Sequence, residues 1–408
     1  MENTSGSSEG HFYYTSSSDV IQTPLSQIPW YSDSIDILFG TMLALGTGVG
    51  VVLNFSVFGM FFKHRREFNS RTTWLLMSLA LSDGLMALIG GTMFSISSFS
   101  HGWPFKDEGC IFYAFTMYAT GCTTICHLTI IAIDRALAIT TPIKYRSWRK
   151  KPVLSAVAIS IPWVFGLLLA VPPLAGFQRY TYEGRTSCSI DWLSQAPMDI
   201  VYTFIMFIAA YFVPLTIMIS CYGIIFTTIL RKRMVNVALS QAAAGIVSPL
   251  SREILIKASG KKFPGDEASA VKRRKIEIQL AKNFFLIVVV YMLFWSPYAI
   301  VSMWGSFGDP SVIPVPARGF PAVLAKFSFI ANPLLYALAN KEHRRRLKRF
   351  YGIKENRVQP PPDFHTPPPE DISDIPEQPR RAPSIRPVMS AAQSAEPEIT
   401  NATTDTSV

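Results

Sequence analysis

Phe320-Pro321-Ala322-Val323-Leu324-Ala325-Lys326-Phe327-Ser328-Phe329-Ile330-Ala331-Asn332-Pro333-Leu334-Leu335-Tyr336-Ala337-Leu338 is a run of nineteen residues whose only charge is a lysine. A bilayer core about 30 Å thick takes roughly 20 mainly apolar residues as a helix, so the run is long enough to cross. An ionised lysine near the bilayer centre costs about 2.5–3.5 kcal/mol even on a lenient insertion scale, which makes an intramembrane lysine functional by default and turns it toward a bundle interior. No carboxylate stands within four residues of Lys326. Burial favours the neutral amine, and that is the form that attacks an aldehyde to make a Schiff base. The alternatives are a structural pair with Asp83 or a side chain reaching for the membrane face.

Working outward, six more such stretches are found: Ile37–Phe62, Trp74–Phe99, Cys110–Ile133, Val153–Phe177, Ile200–Leu230 and Phe284–Trp304. Composition agrees, with 49% hydrophobic and 16% charged residues in 408, against about 25% charged in a soluble domain. The expected fold is an all-α membrane bundle of seven helices. Cytoplasmic loops retain Lys and Arg. Residues 1–36 carry none of the 38, whereas 63–73, 134–152, 231–283 and the segment after 338 hold nearly all. The N-terminus is therefore expected outside and the C-terminus inside. Residues 1–30 lack the basic start and apolar run of a cleavable signal, so the first span is expected to insert itself. Asn3-Thr4-Ser5 is a glycosylation sequon on the outer side. The net charge of +10 sits on the inner side, which favours anionic lipid and an intracellular partner over nucleic acid.

The chain divides into an outer tail (1–34), the helical domain (35–340), a surface helix (341–353) and a disordered inner tail (354–408). In the third segment Leu347, Phe350 and Tyr351 share one face of a basic helix suited to the membrane surface. The last is rich in Pro, Ser and Thr. Cys110 and Cys188 both fall on the oxidising side, where a bridge would fold the loop after the fourth span across the bundle; two free thiols are the alternative. Cys122, Cys126 and Cys221 read as packing residues.

A protonated imine on Lys326 would need a carboxylate or polar network nearby. Asp83 and Asp134 lie in the bundle or at its inner end, and Glu183 lies in the loop that the bridge would fold inward. Glu183 is the favoured counterion, directly or through water; an ordinary solvated glutamate is the alternative. On the sixth span Tyr291, Trp295 and Tyr298 share a face beside Pro297, which should kink or hinge the helix. On the third, Tyr113, Met117 and Gly121 share a face, and Gly121 would leave room for a bulky ligand.

The order Asn54, Leu79-Ala80-Leu81-Ser82-Asp83, Cys110, Asp134-Arg135-Ala136, Trp163, Pro214 with Tyr222, Phe294-Trp295-Ser296-Pro297-Tyr298 and Asn332-Pro333-Leu334-Leu335-Tyr336 resembles the rhodopsin-like G-protein-coupled receptors over residues 35–350. Lys326, seven residues before Pro333, is where the opsins among them carry retinal. The resemblance implies a light-activated receptor, not an enzyme, with 11-cis-retinal on Lys326 and with Ala325, Trp295 and Tyr298 at the pocket. It implies an inner switch in which Arg135 pairs with Asp134 and Glu277. It also implies a polar network of Asp83, Asn332 and Tyr336 beside Pro333, with Tyr222 engaging after activation. The partners it implies are a heterotrimeric G protein, then arrestin and a receptor kinase at the Ser/Thr-bearing tail, all at a photoreceptor cell's plasma membrane. Tyr113 stands where vertebrate visual pigments resemble one another in having glutamate, which passes the counterion role to Glu183 and suggests a bistable pigment. Asn340-Lys341-Glu342 is closer to the ciliary pattern and favours a Gi/o or transducin-like partner. Ala136 and Leu53 depart from the usual residues, and Glu183 is one residue nearer its cysteine than expected. The competing functions are a retinal photoisomerase and a ligand-activated receptor without retinal.

Overall fold

The computed structural model describes residues 32–65, 70–149, 151–243, 267–339 and 341–353. Asn3 and the expected tail at 354–408 lie outside them. Among the described residues six helical stretches are long and apolar enough to cross a membrane: Asp33–Lys63, Arg71–Phe99, Lys106–Thr140, Pro152–Ala175, Pro197–Val235 and Arg274–Phe307. Leu45, Val153 and Leu168 on their outer faces are 67–70% exposed, as hydrocarbon-facing side chains should be.

The seventh crossing differs from the single helix expected over Phe320–Leu338. It is two helices, Val315–Lys326 and Ser328–Ala339, which meet at Phe327. The amides of Phe327 and Ile330 each bond three residues back at 3.1 Å, so the ladder tightens there. Pro333 has no amide to give the carbonyl four residues earlier. That carbonyl, of Phe329, instead accepts from Asn54 Nδ2 of the first crossing at 2.8 Å. A side chain of another helix thus satisfies the backbone group that the proline leaves bare.

Small residues set the closest approaches. A Cβ on Gly166 would fall 2.2 Å from Thr123 Oγ1 and 2.4 Å from the Ala119 carbonyl, so the third and fourth crossings touch backbone to side chain. A Cβ on Gly50 would fall 2.7 Å from the Phe329 ring. The second crossing passes through a π-helical turn at Met86–Gly91, and the fifth through one at Ile208–Phe212 just before Pro214. Such single wide turns inside a helix are frequent at functional sites.

The loop after the fourth crossing forms a hairpin, β1 (Tyr180–Glu183) and β2 (Ser187–Ile190), with Glu183 opposite Ser187 and Tyr182 opposite Cys188. Gly184 takes the left-handed conformation (φ 72°) that the turn requires. Cys110 and Cys188 are bridged, with their Cα atoms 5.5 Å apart, which fixes β2 to the third crossing. At the turn, Arg185 pairs with Asp33 at 2.7 Å and with the buried Asp36, tying the hairpin to the start of the first crossing. Burial and then the hydrogen bond to Asp107 push the Tyr182 phenol above its ordinary value. A last helix, Lys341–Phe350, follows the seventh crossing. Its Leu347 and Phe350 pack on the inner core, and the Tyr351 hydroxyl bonds Ser56.

Candidate functional site

Beneath the hairpin the bundle encloses a cavity of about 140 Å³. Its walls are the third crossing (Tyr113, Met117, Gly121), the fifth (Met206, Tyr211), the sixth (Tyr291, Trp295, Tyr298) and the seventh (Ala322, Ala325, Lys326), with Glu183 in its roof. The helical spacing read from the sequence accounts for these faces, because i, i+4 residues stack above one another. Tyr291 and Trp295 are stacked at 5.7 Å, and Tyr298 meets Trp295 edge to face at 6.3 Å.

Lys326 is 7% exposed. Its Nζ donates to Ser187 Oγ at 3.4 Å and to the Ala322 carbonyl at 3.3 Å, and lies 5.0 Å from the centre of the Phe94 ring. Among the described residues it has no ion pair. Asp83 is not its partner: that carboxylate accepts from Thr124 and Asn332, each at 2.7 Å. The other alternative fails too, since Nζ is held inside and not at a membrane face.

Glu183 is one hydroxyl away from the amine. Ser187 Oγ donates to Glu183 Oε2 at 3.5 Å and shares a 3.4 Å hydrogen bond with the Tyr113 phenol. Glu183 Oε1 accepts from Trp192 Nε1 at 3.0 Å and from the Tyr298 hydroxyl at 3.1 Å. The short spacing to Cys188 does no harm, because the tight turn puts Glu183 directly across from Ser187. Ser187 and Trp192 are absent from the sequence reading. Loop residues carry no periodicity, and only the hairpin register places them. Gly121 lines the cavity as its spacing suggests, and a Cβ there would lie 3.3 Å from Trp295, so the missing side chain also makes room for that indole.

At the opposite end Arg135 is buried and bonds Asp134, Glu277 Oε2 (2.5 Å), Thr72 (2.6 Å) and Tyr145 (3.1 Å). The third crossing is thereby clamped to the base of the sixth. Between the two ends Asp83, Thr124, Ser82 and Asn332 form one polar chain. Pro333 is buried beside it. Tyr336 lies in the helix, and its side chain falls outside the described residues. The Tyr222 hydroxyl is buried without a hydrogen bond among the described residues, its ring edge-on to Phe285.

Comparison with known proteins agrees with this geometry. The sequence profile of the 7 transmembrane receptor (rhodopsin family) matches residues 53–336. Melanopsin of Rattus norvegicus is 30% identical over 318 residues, which are 76% of this chain and 61% of that protein. Melanopsin-A of Gadus morhua is 31% identical over 287 residues, 70% of this chain and 47% of that protein. The chain thus spans about half to three fifths of the length of these relatives. A crystal structure of squid rhodopsin superposes with a TM-score of 0.69 at 24% identity, covering 83% of this chain and 91% of that one. With the profile covering most of its length and the fold matching, the chain belongs to the rhodopsin family of seven-transmembrane receptors and is a multi-pass membrane protein.

Proposed function

We propose that this chain is an opsin, a light-activated receptor that carries retinal on Lys326 and activates a heterotrimeric G protein. The observation that carries the reading is a buried amine, without a paired carboxylate among the described residues, at the wall of an aromatic-lined cavity. Apolar walls and one convergent nucleophile suit an elongated apolar aldehyde. The melanopsins among its relatives support the same reading.

Bound as an imine, retinal supplies a visible-absorbing cation whose shape light changes. The chain's own residues then do the following. Glu183, fixed by Trp192, Tyr298 and Ser187, holds a negative charge within one hydroxyl of Lys326. The Tyr113 phenol, tied to Ser187, leaves that role to Glu183. The Trp295 indole donates to Ser328 at 3.0 Å, two residues past Lys326, and so links motion at the lysine to the sixth crossing. Arg135 holds the base of that crossing through Glu277. A shape change that fits the two bundle conformations unequally shifts their populations. Release of Glu277 then lets the sixth crossing swing at Pro297 and open a cleft for the G protein.

The finer assignments belong to the same proposal: 11-cis-retinal in darkness, a bistable photoproduct, and a plasma-membrane setting with the N-terminus outside. A Gi/o or transducin-like partner, read from Asn340-Lys341-Glu342, and arrestin and a receptor kinase at the tail complete it. Reconstitution with 11-cis-retinal should give a visible band that borohydride fixes to the protein, and Lys326→Ala should abolish both. A colourless wild-type protein with no trapped adduct rejects the reading. Light-dependent nucleotide exchange on a G protein separates a receptor from a photoisomerase.

A further inference from the structure

Trp192 is buried between the hairpin and the outer end of the sixth crossing. Its indole N–H donates to Glu183 Oε1 at 3.0 Å, and its carbonyl accepts from Ser306 Oγ at 2.9 Å. The ring occupies a socket that exists because residue 305 is glycine: a Cβ there would fall 2.4 Å from Trp192 Cζ3 and 2.5 Å from Cε3. Gln195 Nε2 donates to the Gly305 carbonyl at 3.1 Å and closes the same contact. Gly305 and Ser306 are not among the residues that wall the cavity. The carboxylate facing Lys326 is therefore held by a residue whose own position is set by the sixth crossing, above the Pro297 hinge.

We propose that Trp192 is a positioning residue that couples the charge of Glu183 to the outer half of the sixth crossing, with Gly305 as its socket. The inference rests on the opsin reading for its meaning and on the Trp192–Glu183 bond for its geometry. A hydrogen bond to a carboxylate draws charge toward the donor and fixes the carboxylate's orientation. Without the N–H, Oε1 keeps only the Tyr298 hydroxyl, and the charge of Glu183 shifts toward Oε2, the oxygen linked through Ser187 to Lys326. Movement of the sixth crossing would carry the donor away and produce that same change in the illuminated protein.

Trp192→Phe keeps an aromatic ring and removes the N–H. With 11-cis-retinal bound, its visible band should move to shorter wavelength. Gly305→Ala, which touches neither Glu183 nor Lys326, should move the band as well by expelling the indole. In a Glu183→Gln background Trp192→Phe should cause no further displacement. In the retinal-free protein, the infrared carboxylate band that Glu183→Gln removes should be displaced by Trp192→Phe. An unmoved carboxylate band in Trp192→Phe overturns the proposal. So does a shift equal in the wild-type and Glu183→Gln backgrounds, or a Trp192→Phe pigment identical to wild type. A wild-type protein that stays colourless rejects the opsin reading instead, and the infrared arm still decides whether Trp192 holds Glu183.

Discussion

Removing the negative charge of Glu277 should switch the receptor on without light. Arg135 has a side chain 2% exposed and Glu277 one 18% exposed, with 2.5 Å between Nη1 and Oε2, so the pair is largely desolvated. A hydrogen bond to a charged group contributes about 1.5–3 kcal/mol. Glu277→Gln keeps an acceptor oxygen and loses the charge-assisted half, about 1.5 kcal/mol, because ionised hydrogen bonds are roughly twice as strong as neutral ones. Glu277→Ala loses the whole bond, about 3 kcal/mol. Arg135 keeps Asp134, Thr72 and Tyr145 in both variants, so its charge is not stranded and the third crossing stays intact. At about 1.4 kcal/mol per tenfold change, the open population should rise roughly tenfold for Gln and roughly a hundredfold for Ala, until it saturates. The assay is nucleotide exchange on a purified G protein by retinal-free membranes, normalised to receptor amount. Basal rates unchanged in both variants, or higher in Gln than in Ala, would refute the reasoning.

Glu183→Gln should favour the deprotonated chromophore and move absorption toward the ultraviolet near neutral pH, and an unmoved spectrum would assign the counterion role elsewhere. Gly166→Ala inserts a methyl 2.4 Å from the Ala119 carbonyl, backbone that cannot yield. Overpacking of this kind costs about 1–3 kcal/mol, to be read as a lower unfolding midpoint in detergent. Arg185→Gln leaves the buried Asp36 without its guanidinium. It should lower the midpoint and speed hydrogen exchange in the hairpin, and unchanged exchange would show that the disulfide alone holds it.

The crossings were legible because hydrocarbon thickness and backbone hydrogen bonding leave a chain few ways to cross a bilayer, and the faces of Tyr291, Trp295 and Tyr298 followed from helical spacing alone. Lys326 announced itself as a charge with no local partner. The break at Phe327 was hidden, since hydropathy measures length and is blind to which carbonyl another helix will satisfy. Ser187 and Trp192 were hidden for a different reason. Their place depends on a hairpin register and on an absent methyl at Gly305, neither of which composition records. The face of Gly121 followed from spacing, but the closeness of the Trp295 indole to it did not, because contacts between two crossings have no periodicity within one helix.

The bond from Asn54 to the Phe329 carbonyl makes two distant positions a single inherited unit. A descendant that replaced Pro333 with an ordinary residue would give Phe329 an amide of its own and release Asn54 from service. One that lost Asn54 while keeping Pro333 would strand a dipole in the middle of the bundle. The dependence runs one way: loss of the proline is tolerable alone, loss of the asparagine only after it, so change at Asn54 should follow change at Pro333.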